Sequence, residues 1–405
     1  MTFRELLEKY RAGQASEEER AMVEAELEKS EAIADYLAER VEDELGTAEA
    51  QAPAGEVRHI QKKMNRRLRR TAVWAACIVL AVLLGVRFVV EPVVSSFHYQ
   101  PNAQTVGQSE QTDVTFDLTA LYSLLVPGQT MTGATAEPKG FGRYTLTYET
   151  RDWLTGQTSQ AVRTMAPDEY GSGAWIVPSM QRDAFDLLLM EAIAQDGCDL
   201  RESNMGQEKI DYLTQLPATS YVAAWAHFPE DLNPIKLAML AQEYEAYEDI
   251  LSFRWAAVRM AEENMIVGYP TQACPYLDAA PDEEKYPMFS YSQMFDTLKQ
   301  RTFTPQSKVQ YDGSVEKQHF ESMLAYLADR PEAVEALAGP LLPNGYYDFA
   351  AMEDYVTENG VQIYGALVYA QPEALLKLWE DGVMDGISIQ EVLSSRYSGS
   401  RDIRQ

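Results

Sequence analysis

The sequence predicts an α+β protein in three parts: a small all-α domain, one transmembrane helix, and a large α+β domain with a mixed or antiparallel sheet. Three observations lead to this. Residues 71–90 form a single apolar run of membrane-spanning length. Before it, two capping boxes open amphipathic helical segments. After it, stretches of alternating apolar and polar residues are separated by turn residues and helix starts.

The apolar run decides the organisation. Its twenty residues carry one charge, Arg87, near the far end. At about 1.5 Å per residue a helix of this length crosses the roughly 30 Å hydrocarbon core. Arg87 is close enough to the end to reach the headgroups, and Trp74 sits near the opposite interface. Cys77, within the run, reads as a small apolar residue. A cleaved signal peptide fits poorly, because some seventy residues precede the run and no small-residue cleavage pattern closes it.

Orientation follows from the flanks. Residues 58–70 hold seven basic side chains (Arg58, Lys62, Lys63, Arg66, Arg67, Arg69 and Arg70) and no acid; residues 91–100 hold no base. Excess Lys and Arg stay on the cytoplasmic side. The N-terminus is therefore expected inside and the C-terminus outside, in a single-pass protein of the cell membrane. The expected divisions are 1–57, a cytoplasmic helical domain; 58–70, a basic juxtamembrane linker; 71–90, the transmembrane helix; 91–180, a membrane-proximal β-rich region; and 181–405, an α+β domain. Residues 91–405 carry a net charge of −26 within a chain total of −28. So acidic a region is a poor partner for nucleic acid. Its size suffices for one large or two modest cores.

In the inner segment Thr2 with Glu5, and Ser16 with Glu19, are capping boxes. The first helix is short, about residues 3–11, and places Phe3, Leu6, Leu7 and Tyr10 on one face. The second starts near Glu17, and Val23, Leu27, Ile33, Tyr36, Leu37, Val41 and Leu45 form its apolar stripe. So few helices bury little on their own. They form either a small self-contained bundle or one whose apolar stripe a partner completes.

Segment 3–45 resembles the cytoplasmic domain of membrane-bound anti-sigma factors that act on extracytoplasmic-function sigma factors. The residues carrying the likeness are Phe3, Leu7, Tyr10, Gly13, Ser16, Glu18 and Glu19. Residues 114–150 are similar to the sigma-factor-regulator N-terminal region, in which a strand and short helix lead through a Pro-Gly turn to a paired strand. Residues 220–272 and 361–392 are similar to that family's C-terminal domain. The resemblance implies an extracytoplasmic-function sigma factor as partner, contacted by Phe3, Leu6, Leu7, Tyr10, Val23, Leu27, Tyr36 and Leu37. Glu17, Glu18 and Glu24 would face basic surfaces on it. It implies release of the partner on an envelope signal sensed by the C-terminal domain, through conformational change or an intramembrane or site-specific protease. Many relatives bind zinc in the cytoplasmic domain. Here no Cys precedes Cys77 and the only early His is His59, so a zinc-free form is expected, without cofactor or metal. Residues between Pro270 and Ser314 fit no pattern of the family and read as an insertion.

Past the membrane, residues 143–148 read as a half-buried strand and 158–165 as its hairpin partner. Residues 220–228 form a strand stopped by Pro229 and Pro234, and Asn233-Pro234 opens a helix. Strands follow at 250–260, 265–269, 361–369 and 386–389, with helices at 314–328, 352–358 and 372–380. Strand–helix–strand thus occurs twice, which favours helices layered on a sheet.

No catalytic constellation emerges. His59, His98, His227 and His319 lack ligand spacing, and neither G-x-S-x-G nor a P-loop is present. Ser314-Val-Glu-Lys317 matches S-x-x-K, but without its companion motifs it reads better as a helix cap at Asp312-Gly313-Ser314. Asp282-Glu-Glu-Lys285 reads as a solvated acidic loop before a cation site. Trp153, Trp175, Trp225, Trp255 and Trp379 read as core or rim aromatics before a ligand groove. Cys198 and Cys274 are the disulfide candidates. The rival readings are a membrane-anchored cell-envelope enzyme and an envelope scaffold.

Overall fold

The computed structural model describes residues 35–36, 54–108, 110–167, 184–244, 250–261, 266–271, 277–302, 313–338 and 347–396. The chain divides into two compact units, Met1–Val86 and Arg87–Gln405.

Helix α1 (Ala54–Gly85) continues through a π-helical turn, Val86–Val90, into the short helix α2 (Glu91–Ser95). Within it Arg69–Ser95 is long and apolar enough to cross a membrane, and its apolar window is unburied by the rest of the chain. The helix runs five residues past the expected end at Val90. Pro92 permits this because it lies in the first turn of α2, where a missing N–H leaves no bond unmade. Arg87 pairs with Glu91 one turn on.

In the second unit a two-strand ladder, β1 (Thr105–Val106) with β2 (Gln111–Thr112), leads into α3 (Asp113–Leu125). Helix α3 is buried on nearly every side, including Asp113, Thr115 and Asp117. The Pro127-Gly128 turn then starts an antiparallel meander of β3 (Gln129–Gly140), β4 (Arg143–Asp152) and β5 (Thr158–Met165). The expected hairpin is present, with Tyr144 opposite Met165 and Arg151 opposite Thr158. Its turn is closed by Asp152, whose carboxylate accepts from the backbone N–H groups of Leu154 and Thr155.

Helices α4 (Phe185–Gln195) and α5 (Gln207–Gln215) precede the larger sheet. That sheet contains β6 (Tyr221–Leu232), β7 (Leu251–Val258), β8 (Val267–Pro270), β9 (Ile363–Ala370) and β10 (Gly386–Leu393). Its order is β10-β6-β9-β7-β8, with every neighbouring pair antiparallel. Helix α6 (Pro234–Glu243) joins β6 to β7; after β8 come α7 (Tyr291–Thr302), α8 (Ser314–Ala328), α9 (Pro331–Ala338) and α10 (Phe349–Asn359); α11 (Pro372–Glu380) joins β9 to β10. Two interleaved β-α-β units therefore build a split-βαβ sheet. Helix α6 begins as expected, with the Asn233 side chain accepting from the Lys236 N–H at 2.8 Å and Pro234 at the first turn.

The sheet is buried on both faces. On β6, Val222, Ala224, Ala226 and Phe228 enter the larger core with α3, α8 and α11, while Tyr221, Ala223 and Trp225 enter a second core against α4. This is the period of two acting on a strand with no solvent face.

One expectation is corrected. Pro229 does not end β6: the register shifts between His227 and Leu232, so the proline sits in a bulged stretch where no ladder bond needs its N–H. The helix cap expected at Asp312-Gly313-Ser314 is present: Gly313, at φ 72, is the cap and Ser314 the first residue of α8. A Cβ on Gly313 would lie 2.2 Å from the Pro234 carbonyl oxygen. The described part of the segment read as an insertion, residues 277–302, contributes to the core. Phe289 has no exposure and packs 4.8 Å from Tyr326 and 6.3 Å from Phe116, centroid to centroid.

Candidate functional site within the C-terminal unit

Within the C-terminal unit, the end of α2 and the residues that follow it are fastened to the rest of that unit. Several hydrogen bonds fasten this stretch, among them three made by side chains of Ser95, Asn102 and Tyr99. Ser95 Oγ accepts from the Gly142 N–H at 3.0 Å, Asn102 Nδ2 donates to the Ala136 carbonyl at 2.7 Å, and Tyr99 Oη donates to Asp117 Oδ2 at 2.5 Å.

Asp117 is the hub. It has no exposure, and besides Tyr99 it accepts from Tyr326 Oη at 2.8 Å and from Arg330 at 2.6 and 2.9 Å. Arg330 also reaches Asp113 at 3.2 Å and lies over the Tyr326 ring. Burial pushes the Asp117 carboxyl up, and the Arg330 guanidinium beside it pulls it back. Burial, then the Asp117 charge, hold the phenols of Tyr99 and Tyr326 well above their usual range, so both remain donors. Helix α3, the end of α8 and the strand-free segment leaving the membrane helix are thus joined at one carboxylate. A cleft of about 420 Å³ opens beside it, lined by Ser96, His98, Tyr99 and Arg330.

A larger cleft of about 600 Å³ lies between the β1–β2 ladder, α3 and the meander. Its lining includes Gln111, Thr115, Thr132, Thr147 and Glu149, and the Thr132 hydroxyl is buried without a partner. Such a wall of hydroxyls, amides and carboxylates suits a polar ligand.

A second charged network ties α4 to the larger sheet. His227 on β6 bonds Asp385 through Nδ1 at 2.7 Å and Glu191 on α4 through Nε2 at 3.0 Å. Arg259 bonds Glu191 at 2.5 Å and holds Asp231 bidentately, both contacts at 2.7 Å. Burial alone would lower the imidazole; hydrogen bonds to the Asp385 and Glu191 carboxylates outweigh it and raise His227 to about 9. Burial alone would raise Glu191; bonds from His227 and Arg259 outweigh it and bring it down to about 2.

The other sequence candidates separate clearly. Lys317 of the S-x-x-K motif pairs with Glu321. Asp282 accepts from the backbone N–H groups of Glu284 and Lys285, and Lys285 pairs with Asp329 at 2.7 Å. Among the described residues no His, Cys, Asp and Glu group has metal-site geometry. Trp225 and Trp255 are buried edge to face, 5.9 Å apart; Trp379 is buried beneath Arg201; Trp153 is half-buried beside Arg254. Trp175 lies outside the described residues. Cys198 is exposed, and Cys274, its disulfide candidate, also lies outside them. Of the expected sigma contacts only Tyr36 is described, helical and exposed; Phe3, Leu6, Leu7, Tyr10, Val23, Leu27 and Leu37 lie outside.

Residues 213–391, which contain strands β6 to β9 and most of β10, match the family model for the sigma factor regulator C-terminal region. Over this stretch the chain is similar to the sigma factor regulators. No curated protein and no solved structure matches it. The matched region starts beyond Tyr99 and Asp117 but includes Tyr326 and Arg330, and the described residues contain one helix long and apolar enough to cross a membrane. The Asp117 hub was missed in the sequence, although a signal existed: Asp113 and Asp117 stand one turn apart in an otherwise apolar helix, and buried acids need partners.

Proposed function

We propose that this protein sequesters an extracytoplasmic-function sigma factor at the membrane. Residues 1–57 form the cytoplasmic binding domain, 58–70 the basic linker, and 91–405 the extracytoplasmic part, in which 91–180 adjoin the membrane and 181–405 form the sensor. The observation that carries the reading is the family match over residues 213–391. The seven basic residues at 58–70 support the orientation.

The activity is binding, without catalysis. Phe3, Leu6, Leu7 and Tyr10, with Val23, Leu27, Tyr36 and Leu37, make the apolar contact. An envelope signal acts on the sensor, and the Tyr99–Asp117–Arg330 hub carries its effect to the helix. Release then follows from that change or from cleavage by a site-specific or intramembrane protease. Affinity purification of the full-length protein from its membranes tests this: a small sigma factor should co-purify and be lost in Leu7→Asp. Recovery of envelope machinery with no sigma factor would refute the proposal.

A further inference from the structure

The β3–β4 hairpin ends in Lys139-Gly140-Phe141-Gly142-Arg143, with Gly140 paired to Arg143 across the turn. The three central residues all have positive φ: Gly140 at 93, Phe141 at 54 and Gly142 at 74. A two-residue turn of this kind favours Asn or Gly at its first central position. A bulky aromatic there is strained, and the strain is not offset by packing, because Phe141 is 46% exposed. A strained, exposed aromatic at a hairpin tip is best explained by something outside the chain that it contacts.

The position of the tip says what that is. The Gly142 N–H donates to Ser95 Oγ, and Gly140 approaches Glu91, both residues of α2. Ser95 is the last residue of the membrane-crossing stretch. Two residues later Phe97 is 77% exposed, and Val93 is exposed as well. The tip is therefore held at the level where the helix leaves the bilayer. Lys139 and Arg143 flank the aromatic, and both are exposed. Lys139 contacts Glu137 at 2.8 Å, but a solvent-exposed pair of this kind is weak and exchanges readily. Two bases around a phenylalanine stand out in a region of net charge −26.

We infer that the β3–β4 tip is a membrane-interface anchor: Phe141, with Phe97 beside the helix exit, inserts at the boundary of headgroups and acyl chains, and Lys139 and Arg143 contact lipid phosphates. This geometry is that of interfacial anchoring by aromatic and basic side chains. It fixes the C-terminal unit against the bilayer at a second point besides the helix itself, so bilayer state can bear on the Asp117 hub. The inference rests on the membrane span and not on the identity of the sigma factor.

The test uses the full-length chain carrying Cys77→Ala, Cys198→Ser and Cys274→Ser, reconstituted in vesicles of phosphatidylethanolamine and phosphatidylglycerol. A single cysteine replaces Phe141, Phe97 or, as the control at the other end of β4, Gln157, and carries an environment-sensitive fluorophore. Lipids bearing a nitroxide just below the headgroup should quench most of the emission at 141 and at 97, and little at 157. Lys139→Glu with Arg143→Glu should reduce the quenching at 141. Emission at 141 and 97 as water-like and unquenched as at 157 would overturn the proposal. So would equal quenching at all three positions, which would mean that the sheet lies on lipid without a specific anchor.

Discussion

Asp117 has no contact with solvent and gathers two phenols and a guanidinium. Removing one partner of a buried pair leaves an uncompensated charge, which costs about 3–5 kcal/mol. Arg330→Met should therefore lower the thermal unfolding midpoint of the purified protein markedly. Asp117→Leu added to Arg330→Met should recover part of the loss, because no charge is then stranded. The His227 network gives a pH dependence of definite sign. His227 is raised from 6.5 to about 9 in the folded protein, so its contribution is complete below pH 6.5 and is lost as pH rises through 9. Glu191 is lowered from 4.5 to about 2, so its contribution is present above pH 4.5 and is lost as pH falls through 2. Thermal unfolding measured across this range should peak near pH 4.5–6.5, and His227→Gln should flatten its alkaline limb. None of these partnerships was legible in the sequence. His227 and Asp385 lie far apart in the chain, and His227 looked like one of four scattered histidines until the sheet brought β6 beside β10.

At the scale of elements, local chemistry was a good guide where a cap or an alternation marked the boundary. The Asn233-Pro234 start, the meander turn at Asp152 and the helix from Pro372 all stand where their residues place them. It failed where burial is two-sided. Helix α4 has a nearly uniform apolar sequence, FDLLLMEAIAQ, with no capping side chain, and α9 is eight residues long. The aromatic stretch around Phe289 belongs to the core without any periodic pattern. The helix expected at residues 3–11 is the element on which the proposed function turns. A helix of under three turns is marginal in water by itself and requires its apolar face to be covered. Burial of each such side chain is worth roughly 1.5–3 kcal/mol, and each 1.4 kcal/mol is about tenfold in affinity. Leu7→Asp or Tyr10→Asp should therefore weaken sigma binding on the order of a hundredfold or more, as read by titration, and switch on the dependent genes without a signal. With no thiolate before Cys77, chelator should leave sigma binding by this segment unchanged in the same titration.

For the whole molecule, the proposed topology rests on the charge asymmetry around the apolar helix. A reporter fused after Gln405 should be active only outside the cytoplasm. Neutralising Arg66, Arg67, Arg69 and Arg70 should raise the inverted fraction, measured by protease protection of the C-terminal unit. The division of labour makes a sharper claim: the N-terminal segment makes the sigma contact and the rest of the chain sets when it is made. The direct measurement is the affinity of a fragment ending before Ala72 for the sigma factor, beside that of the full-length protein. The account predicts that the fragment binds and represses about as well as the whole chain. A fragment that fails to bind while the full-length protein succeeds would place the contact elsewhere and contradict it.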